Sequence, residues 1–447
     1  MKNEKLAKAL EQVSDEHIEE AVTVKKKRKF PWVAAVAAVL AVAVAVVVLS
    51  NPLVLSAKAV SVAKYPKYQW EYRRDMGSVT APLQEFFTDS LEQTLAPAVQ
   101  ENQIYSPANL YMALCLMGEL TNGNEQILAL LNAEGQEDLR EQAKKIWDAC
   151  YLDDGDQTLL ANSLWLDDSL AYNQALMDTL SENYYTSVYQ RQLHSAQTSS
   201  DIKSWVNHQT GGLLKNEVNE LSLPQDALLV LYSTVYYQAM WTESCEFNTA
   251  NNTAGRFQTP DDSVTCTFMN QDQLETYYYW AEDFSAVSMH LKDGSSMWLL
   301  LPDEDKTTAD VVSSPELPEL LFDTGEYENS KYMLVNLSMP KFDVRASGDL
   351  KADLQALGIT DVFTPDSDCL AASFTTDDPL FFTNVNQATR VAVDEKGVTA
   401  ASYIELPGAG AGMPPEEEID FTLDRPFVFV ITNRYDIPLF AGVVNKP

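Results

Sequence analysis

Histidine and cysteine are scarce in this chain, and basic residues are heavily outnumbered. Four histidines (His17, His194, His208, His290) leave few options for metal ligation or acid–base chemistry. Five cysteines (Cys115, Cys150, Cys245, Cys266, Cys369) lie scattered without CxxC spacing, which excludes the usual zinc and dithiol motifs. Their odd number argues against a disulfide framework, and Cys115, inside the apolar run "YMALCLM", reads as a small packed hydrophobe. Lysine and arginine total 31 against 65 acidic residues, a net charge of −34, so the phosphates of a nucleic acid find no basic surface. The acidity suits a cationic partner as well as it suits plain solubility.

Reactive motifs are also missing. There is no HExxH, no GxSxG and no P-loop. The "GAGAG" of Gly408–Gly412 lacks GxGxxG spacing and follows Pro407, so it is no phosphate loop. Carboxylate pairs such as Asp167/Asp168 and the run Glu416–Glu418 are expected as solvated surface in a chain this acidic. Neither a metal nor a cofactor is implied, and an enzyme acting on extracellular substrates is the weaker reading.

What is present divides the chain. Residues 1–29 are charged and end in "KKKRK" at Lys25–Lys29. They precede "FPWVAAVAAVLAVAVAVVVL", twenty uncharged residues from Phe30 to Leu49, enough to cross the hydrocarbon of a bilayer. The basic cluster places the N-terminus in the cytoplasm and everything after Leu49 outside. The span exceeds a signal-peptide core and reads as an anchor. Cleavage at "AKA", Ala57–Ala59, is the alternative and would release the outer part. Residues 50–80, polar and aromatic, read as a linker or stalk, and residues 81–447 as one large domain.

Within that domain "PLQEFFTDSLEQTLAPAV" (Pro82–Val99) has helical spacing, and "SPANLYMALCLMGEL" starts with Ser106 as a cap and Pro107 at the first helical position. "DALLVLYSTVYYQAMW" (Asp226–Trp241), "SSMWLLLPD" and "FVFVITN" read as buried strands, and "SMPKFDVRA" as a strand continuing past Pro340. Helices first and strands later, over some 370 residues, predict an α+β fold.

These stretches resemble the serpin family from about Pro82 to Pro447. "FTLDRPFVFVI" (Phe421–Ile431) is similar at every position to the family's C-terminal signature, and "PLFAGVVNKP" to its chain ending. "NQIYSPANLYMAL" carries the Asn-x-x-x-Ser-Pro opening of a family helix in Asn102, Ser106 and Pro107. "ANSLWL", "IKSWVNHQTGGLL", "VYYQAMW" with Trp241, "LLLPDED", "MPKF" and "LGITDVF" follow in the family's order. The resemblance implies helices on a large, mostly antiparallel central sheet with an exposed reactive-centre loop. It implies a monomer that traps serine proteases as a suicide substrate: the loop is cut, the protease is acylated, and the loop inserts into the sheet as a strand.

By that resemblance the hinge is Glu395, Lys396, Gly397, Val398, Thr399, Ala400, Ala401 and Ser402. The rest of the loop is Tyr403, Ile404, Glu405, Leu406, Pro407, Gly408, Ala409 and Gly410, with the reactive bond between Ala411 and Gly412 and Met413 beyond it. Val398, Ala400, Ser402, Ile404 and Leu406 alternate as a small or apolar set. Thr399, Ala401, Tyr403 and Glu405 form the outward one. Such alternation fits an ordinary surface strand as well as an insertable one; the resemblance favours insertion. The methyl group of Ala411 points to elastase-like or subtilisin-like proteases, and the chain's negative charge favours cationic ones among them. Val398, Tyr403 and Pro407 are the less favourable features for fast insertion. Where many members pair an Asn and a His across the central sheet, this chain has Ser233 and Asn386–Gln387, so another pairing is expected. The expected setting is a bacterial cell surface, single-pass, with the domain extracellular, or secreted after cleavage near Ala59. A non-inhibitory serpin-fold binding module is the alternative.

Overall fold

The computed structural model describes residues 53–65, 77–154, 156–212, 214, 223, 227–322, 325, 327–365, 367–376, 379–383, 385–398 and 415–447. Residues 1–29 and the apolar stretch 30–49 lie outside these. Among the described residues no helix is long and apolar enough to cross a membrane.

An eight-stranded mixed sheet carries the hinge. Its strands run β1 (Lys58–Ser61), β6 (Thr186–Gln190), β4 (Asp156–Leu166), β7 (Leu229–Met240), β16 (Gly397–Val398), β15 (Asn386–Asp394) and β13 (Phe342–Asp349), with β3 (Leu152–Asp154) against β4. A nine-stranded sheet orders β17 (Glu418–Thr422), β12 (Ser330–Pro340), β9 (Ser263–Trp280), β10 (Phe284–His290) and β11 (Ser296–Pro302). It continues through β18 (Phe427–Thr432), β19 (Pro438–Val444) and β2 (Gln103–Tyr105), with β8 (Thr253–Gln258) against β9. A small pair joins β5 (Ala171–Tyr172) to β14 (Phe374–Thr375). Strands and helices therefore interleave along the chain, where the sequence suggested helices first.

The chain moves between the large sheets at "MPKF". β12 ends at Pro340, Lys341 follows, and β13 begins at Phe342 in the other sheet. The single strand expected there is thus two. Proline lacks the N–H that a continuing ladder needs, which makes it a natural place to leave one sheet.

Helix α1 (Gly77–Leu95) and helix α2 (Pro107–Leu120) pack behind the sheets. Ser106 caps α2 by accepting from Asn109 N at 3.3 Å, with Pro107 in the first turn. All residues of α2 are buried, the signature of a helix apolar on every side. Glu119 is its charged member. Arg140, on α3 (Gln136–Cys150), donates to it through Nε at 2.8 Å and Nη2 at 2.7 Å, and Tyr184 through its hydroxyl at 2.9 Å. That pairing is what allows a carboxylate to be buried here. A helix α4 (Gln174–Asn183) precedes β6, and α5 (Ala196–Gln209) lies on the outer face of the eight-stranded sheet.

That outer face holds a small separate core. Ile202, Trp205 and Val206 of α5 meet Ala161 and Trp165 of β4, Val230 and Tyr232 of β7, and Ala388 of β15. The opposite face of the same strands, with Val235, Tyr237 and Ala239 of β7 and Val391 and Val393 of β15, belongs to the main core. Alternate residues of β7 and β15 thus face two different cores.

Residues 53–65, expected as part of a stalk, are instead laid against the domain. Lys58–Ser61 extends the eight-stranded sheet beyond β6. Leu53, Leu55 and Ala57 pack on the small outer core. The backbone N–H groups of Ser56 and Ala57 both donate to Asp201 Oδ2 of α5, at 3.1 and 2.9 Å.

Replacing Glu119 with Ala is expected to lower unfolding stability by about 3 kcal/mol, because Arg140 and the buried Tyr184 hydroxyl lose their acceptor. Chemical denaturation of the variant against the parent measures it, and an unchanged midpoint would contradict the pairing's role.

Candidate functional site: a seam in the eight-stranded sheet

β7 and β15 run parallel and are ladder-paired at one end only, Asn386 with Tyr232 and Gln387 with Ser233. At the other end β16 stands between them. Gly397 pairs with Met240 of β7 and Asp394 of β15, and Val398 with Ala239 and Val393, antiparallel on both sides. Two residues of the predicted hinge are therefore already strands in the sheet.

Glycine is required at the wedge. Gly397 has φ +152°, and a Cβ there would fall 2.8 Å from Met240 Cα and inside contact with the Ala239 carbonyl. A backbone this close tolerates no side chain. Val398 next to it is fully buried on the main-core side, so its burial helps hold the wedge in place by roughly 1.5–2 kcal/mol.

The turn before the wedge is tied down by Trp241, itself fully buried. Its backbone N–H donates to Lys396 O at 2.9 Å and its indole Nε1 to Asp394 O at 3.0 Å. Phe247 N donates to Glu395 O at 3.2 Å. Lys396 pairs its ammonium with Glu246. Glu395 is buried and salt-bridged to Lys341 Nζ at 2.5 Å, with Asn252 Nδ2 also donating to it at 2.5 Å. Burial by itself pushes the Glu395 carboxyl up, but the Lys341 ammonium and the Asn252 amide outweigh it and hold it below its ordinary value of 4.5. Burial raises Asp394 beside it, a shift increased by the charge of Glu395.

The paired end of the seam is fastened differently, through the start of α2. Ser233 Oγ lies 2.6 Å from Asn109 Oδ1 and 2.5 Å from Asn162 Oδ1. One hydroxyl hydrogen cannot serve two acceptors, and Asn109 Nδ2 has no partner in that orientation. Turning the Asn109 amide completes a chain in which Nδ2 donates to Ser233 and Ser233 donates to Asn162. On the other strand, Gln387 Oε1 accepts from Ser106 N at 2.9 Å and Gln387 Nε2 donates to Ser106 O at 3.2 Å. Ser233 and Gln387 do not bond to each other's side chains here; the N-terminus of α2 bridges their strands. This is the replacement pairing expected from the sequence.

The structure thus brings together Glu395, Lys396, Gly397 and Val398 of the sequence-predicted hinge. Thr399, Ala400, Ala401, Ser402, the loop residues Tyr403–Gly410, the bond Ala411–Gly412 and Met413 lie outside the described residues. Sequence reasoning did not single out Lys341, Asn252, Asn109 or Asn162. Lys341, Asn109 and Asn162 sit in the quoted "MPKF", "NQIYSPANLYMAL" and "ANSLWL", but none carries a local signal for its role, which arises from packing between distant segments.

Comparison with known proteins decides the family. The family model "Serpin (serine protease inhibitor)" matches residues 82–447. The chain is a serpin. Serpins are typically protease inhibitors and not catalysts. Among similar proteins, Serpin-ZX of Arabidopsis thaliana is 25% identical over 371 residues, covering 77% of this chain and 92% of its own. Human Serpin B3 is 26% identical over 406 residues, covering 83% and 100%. The native-state crystal structure of the thermophilic serpin tengpin superposes with a TM-score of 0.73 at 22% identity, covering 87% of this chain and 98% of tengpin. The complex of thyroxine-binding globulin with thyroxine shares the fold at a TM-score of 0.68 and 19% identity, covering 83% and 99%.

Gly397→Ala is expected to expel the wedge from the seam at a cost of about 2 kcal/mol. Hydrogen exchange at Lys396 and Val398 should rise well above that of the parent, and unchanged protection would refute the steric account. Glu395→Gln should cost about 2 kcal/mol at pH 7. A carboxyl held below its ordinary value stabilises above that value and loses the contribution as pH falls through the folded one. The difference between parent and variant should therefore vanish in acid. Losing the Glu395 charge also relaxes part of the upward shift of Asp394, which offsets some of that cost at neutral pH and likewise disappears in acid. Thermal unfolding of both proteins from pH 7 to 3 checks the sign.

Proposed function

We propose that this serpin inhibits serine proteases as a suicide substrate, with elastase-like or subtilisin-like enzymes as targets. The observation that carries the reading is the seat of Gly397 and Val398, in antiparallel register with both strands of an otherwise unzipped seam. Carried on without a bulge, that register sets Ala400 between Tyr237 and Val391, Ser402 between Val235 and Thr389, and Ile404 between Ser233 and Gln387. These positions lie on the face of the sheet where Val235, Tyr237 and Val391 join the main core, and the inserting side chains are small or apolar, as burial requires. Thr399, Ala401 and Tyr403 take the outer face. Tyr403 arrives beside Thr234 and Ala388, and Ala388 is packed under α5, so α5 has to shift for insertion to finish.

In this mechanism the protease serine attacks the Ala411 carbonyl, the bond to Gly412 breaks, and the proton leaves on the Gly412 amine. Insertion then competes with hydrolysis of the acyl ester. The hinge is built to win that race, since its first strand pairs exist before cleavage. The apolar stretch Phe30–Leu49 behind Lys25–Lys29 anchors the domain outside a bacterial cell in this reading, which rests on the charge order and on cysteines that are all unpaired among the described residues. Release near Ala59 is the secreted variant of the same proposal. A binding module without inhibition is the competing reading, given the shared fold with thyroxine-binding globulin.

Mixing the protein with neutrophil elastase, subtilisin and trypsin and resolving the products in SDS tests the proposal. A band at the summed mass with an elastase-like enzyme and none with trypsin is expected, and Ala411→Arg should transfer trapping to trypsin. Clipped serpin beside fully active protease would move the binding module to first place.

A further inference from the structure

We propose that residues 53–65 form a releasable strap, and that at a membrane a protease is trapped only once this strap has let go. The inference rests on the anchored, inhibitory reading above and adds a constraint that neither part contains alone.

The register across the sheet sets the geometry. Met240 marks the hinge end of β7 and Leu229 the far end. Leu229 pairs with Leu166, Leu166 with Gln190, and Gln190 with Lys58. The strap therefore enters the sheet at the pole opposite the hinge. An inserted loop keeping the register of Val398 with Ala239 brings Gly408 level with Leu229, and Ala411 three residues beyond. The acylated protease arrives at the pole where the strap begins. Strands in a sheet lie about 4.8 Å apart, so the seam and β1 are separated by only about 20 Å.

Length then becomes the obstacle. From Leu49, the end of the proposed span, to Leu53, the first described residue of the strap, the chain passes through Ser50, Asn51 and Pro52 alone. That stretch reaches about 14 Å at full extension. A chymotrypsin-sized protease is about 45 Å across. With the strap docked there is no room for it between this pole and the bilayer. With the strap released, the chain from Leu49 to Tyr65 reaches about 55 Å, and the protease fits.

The strap's attachments are short-range and of a kind that can open, among them Ala63 N to Ser187 Oγ at 3.2 Å, Lys64 N to Ser181 O at 3.0 Å and the exposed ion pair of Lys64 with Glu182. Only three ladder pairs hold it to β6, interrupted by an irregularity between Ala59 and Ser61. Its most concentrated hold is on Asp201 of α5, which accepts from Ser56 N, Ser56 Oγ at 2.6 Å and Ala57 N, while Arg191 reaches Ser56 Oγ at 2.5 Å. At the other end Tyr65 stacks on Trp147, Tyr151 and Tyr185 at 5.6, 6.1 and 6.0 Å. Val54 and Val62 remain largely exposed. Because α5 has to shift to admit Tyr403, the insertion that delivers the protease also disturbs Asp201 and loosens the strap.

The test locks the strap. Lys58→Cys with Gln190→Cys, in a Cys266→Ser, Cys369→Ser background, places two thiols across one antiparallel pair, a separation a disulfide can bridge. The full chain is reconstituted in phosphatidylcholine–phosphatidylglycerol vesicles, mixed with an elastase-like protease, and scored for SDS-stable complex. The oxidised protein in vesicles is expected to form at least tenfold less complex than the reduced protein. In detergent, where no flat bilayer faces the pole, oxidised and reduced proteins should form equal amounts. Asp201→Ala, which leaves both cysteines out, should instead speed complex formation in vesicles. Equal trapping by the oxidised and reduced proteins in vesicles would overturn the proposal. No complex from the reduced protein in detergent would remove the inhibitory reading on which it stands, and failure to float with vesicles would remove the anchor.

Discussion

The structure depends on a seam that is only half closed. β7 and β15 could satisfy each other's backbone groups along their whole length, yet pair at one end and admit a two-residue wedge at the other. A parallel pair left partly unzipped in the middle of a sheet forgoes hydrogen bonds that burial makes valuable. What holds this arrangement is local: a glycine where no Cβ fits, a valine in the core below it, and a tryptophan bonded to the turn above. The open part of the seam offers backbone groups to a strand antiparallel to both neighbours, the register that Gly397 and Val398 already adopt.

The two ends of the seam are secured by different chemistry. At the hinge, Glu395 is charged and paired with Lys341 across from the sheet switch at Pro340. At the far end the fastening is neutral, through Ser233, Asn109, Asn162, Gln387 and the backbone of Ser106. Neutral bonds of this kind contribute about 1 kcal/mol each and open without stranding a charge. In the proposed insertion the end that would part last lacks an ion pair, while the end that Gly397 and Val398 already occupy has one. Helix α5 and the strap over it add a third restraint on the outer face, where the largest outward side chain of the loop would have to pass.

Much of this was legible in the residues. The Ser-Pro start and apolar character of α2, the β-rich run of β7 and "FVFVIT" followed from local rules, because each element's burial is written into its own composition. The period-2 alternation after Gly397 put Val398 in the small or apolar set, and the resemblance to serpins turned that set toward the core, where Val398 lies. The sheet switch at Pro340 was legible in hindsight, but the sequence reading ran the strand through it, since apolar alternation continues on both sides of the proline.

Other features belong to tertiary structure alone. That Asn109 and Asn162, on a helix and a strand far apart in sequence, converge on Ser233 depends on how α2 crosses beneath the sheet. The docking of residues 53–65 could not be read from a stretch that is polar, aromatic and stalk-like in composition; it exists because Asp201 on α5 offers one carboxylate oxygen to two backbone amides of a strand with free edge groups. The amino-acid sequence by itself determined which residues must be buried and which alternate positions share a face, since those depend on volume, polarity and period. Only the tertiary structure decided that the hinge is already seated between two strands and that the strap enters at the opposite pole, because register and strand order are set by contacts between segments that carry no local record of one another.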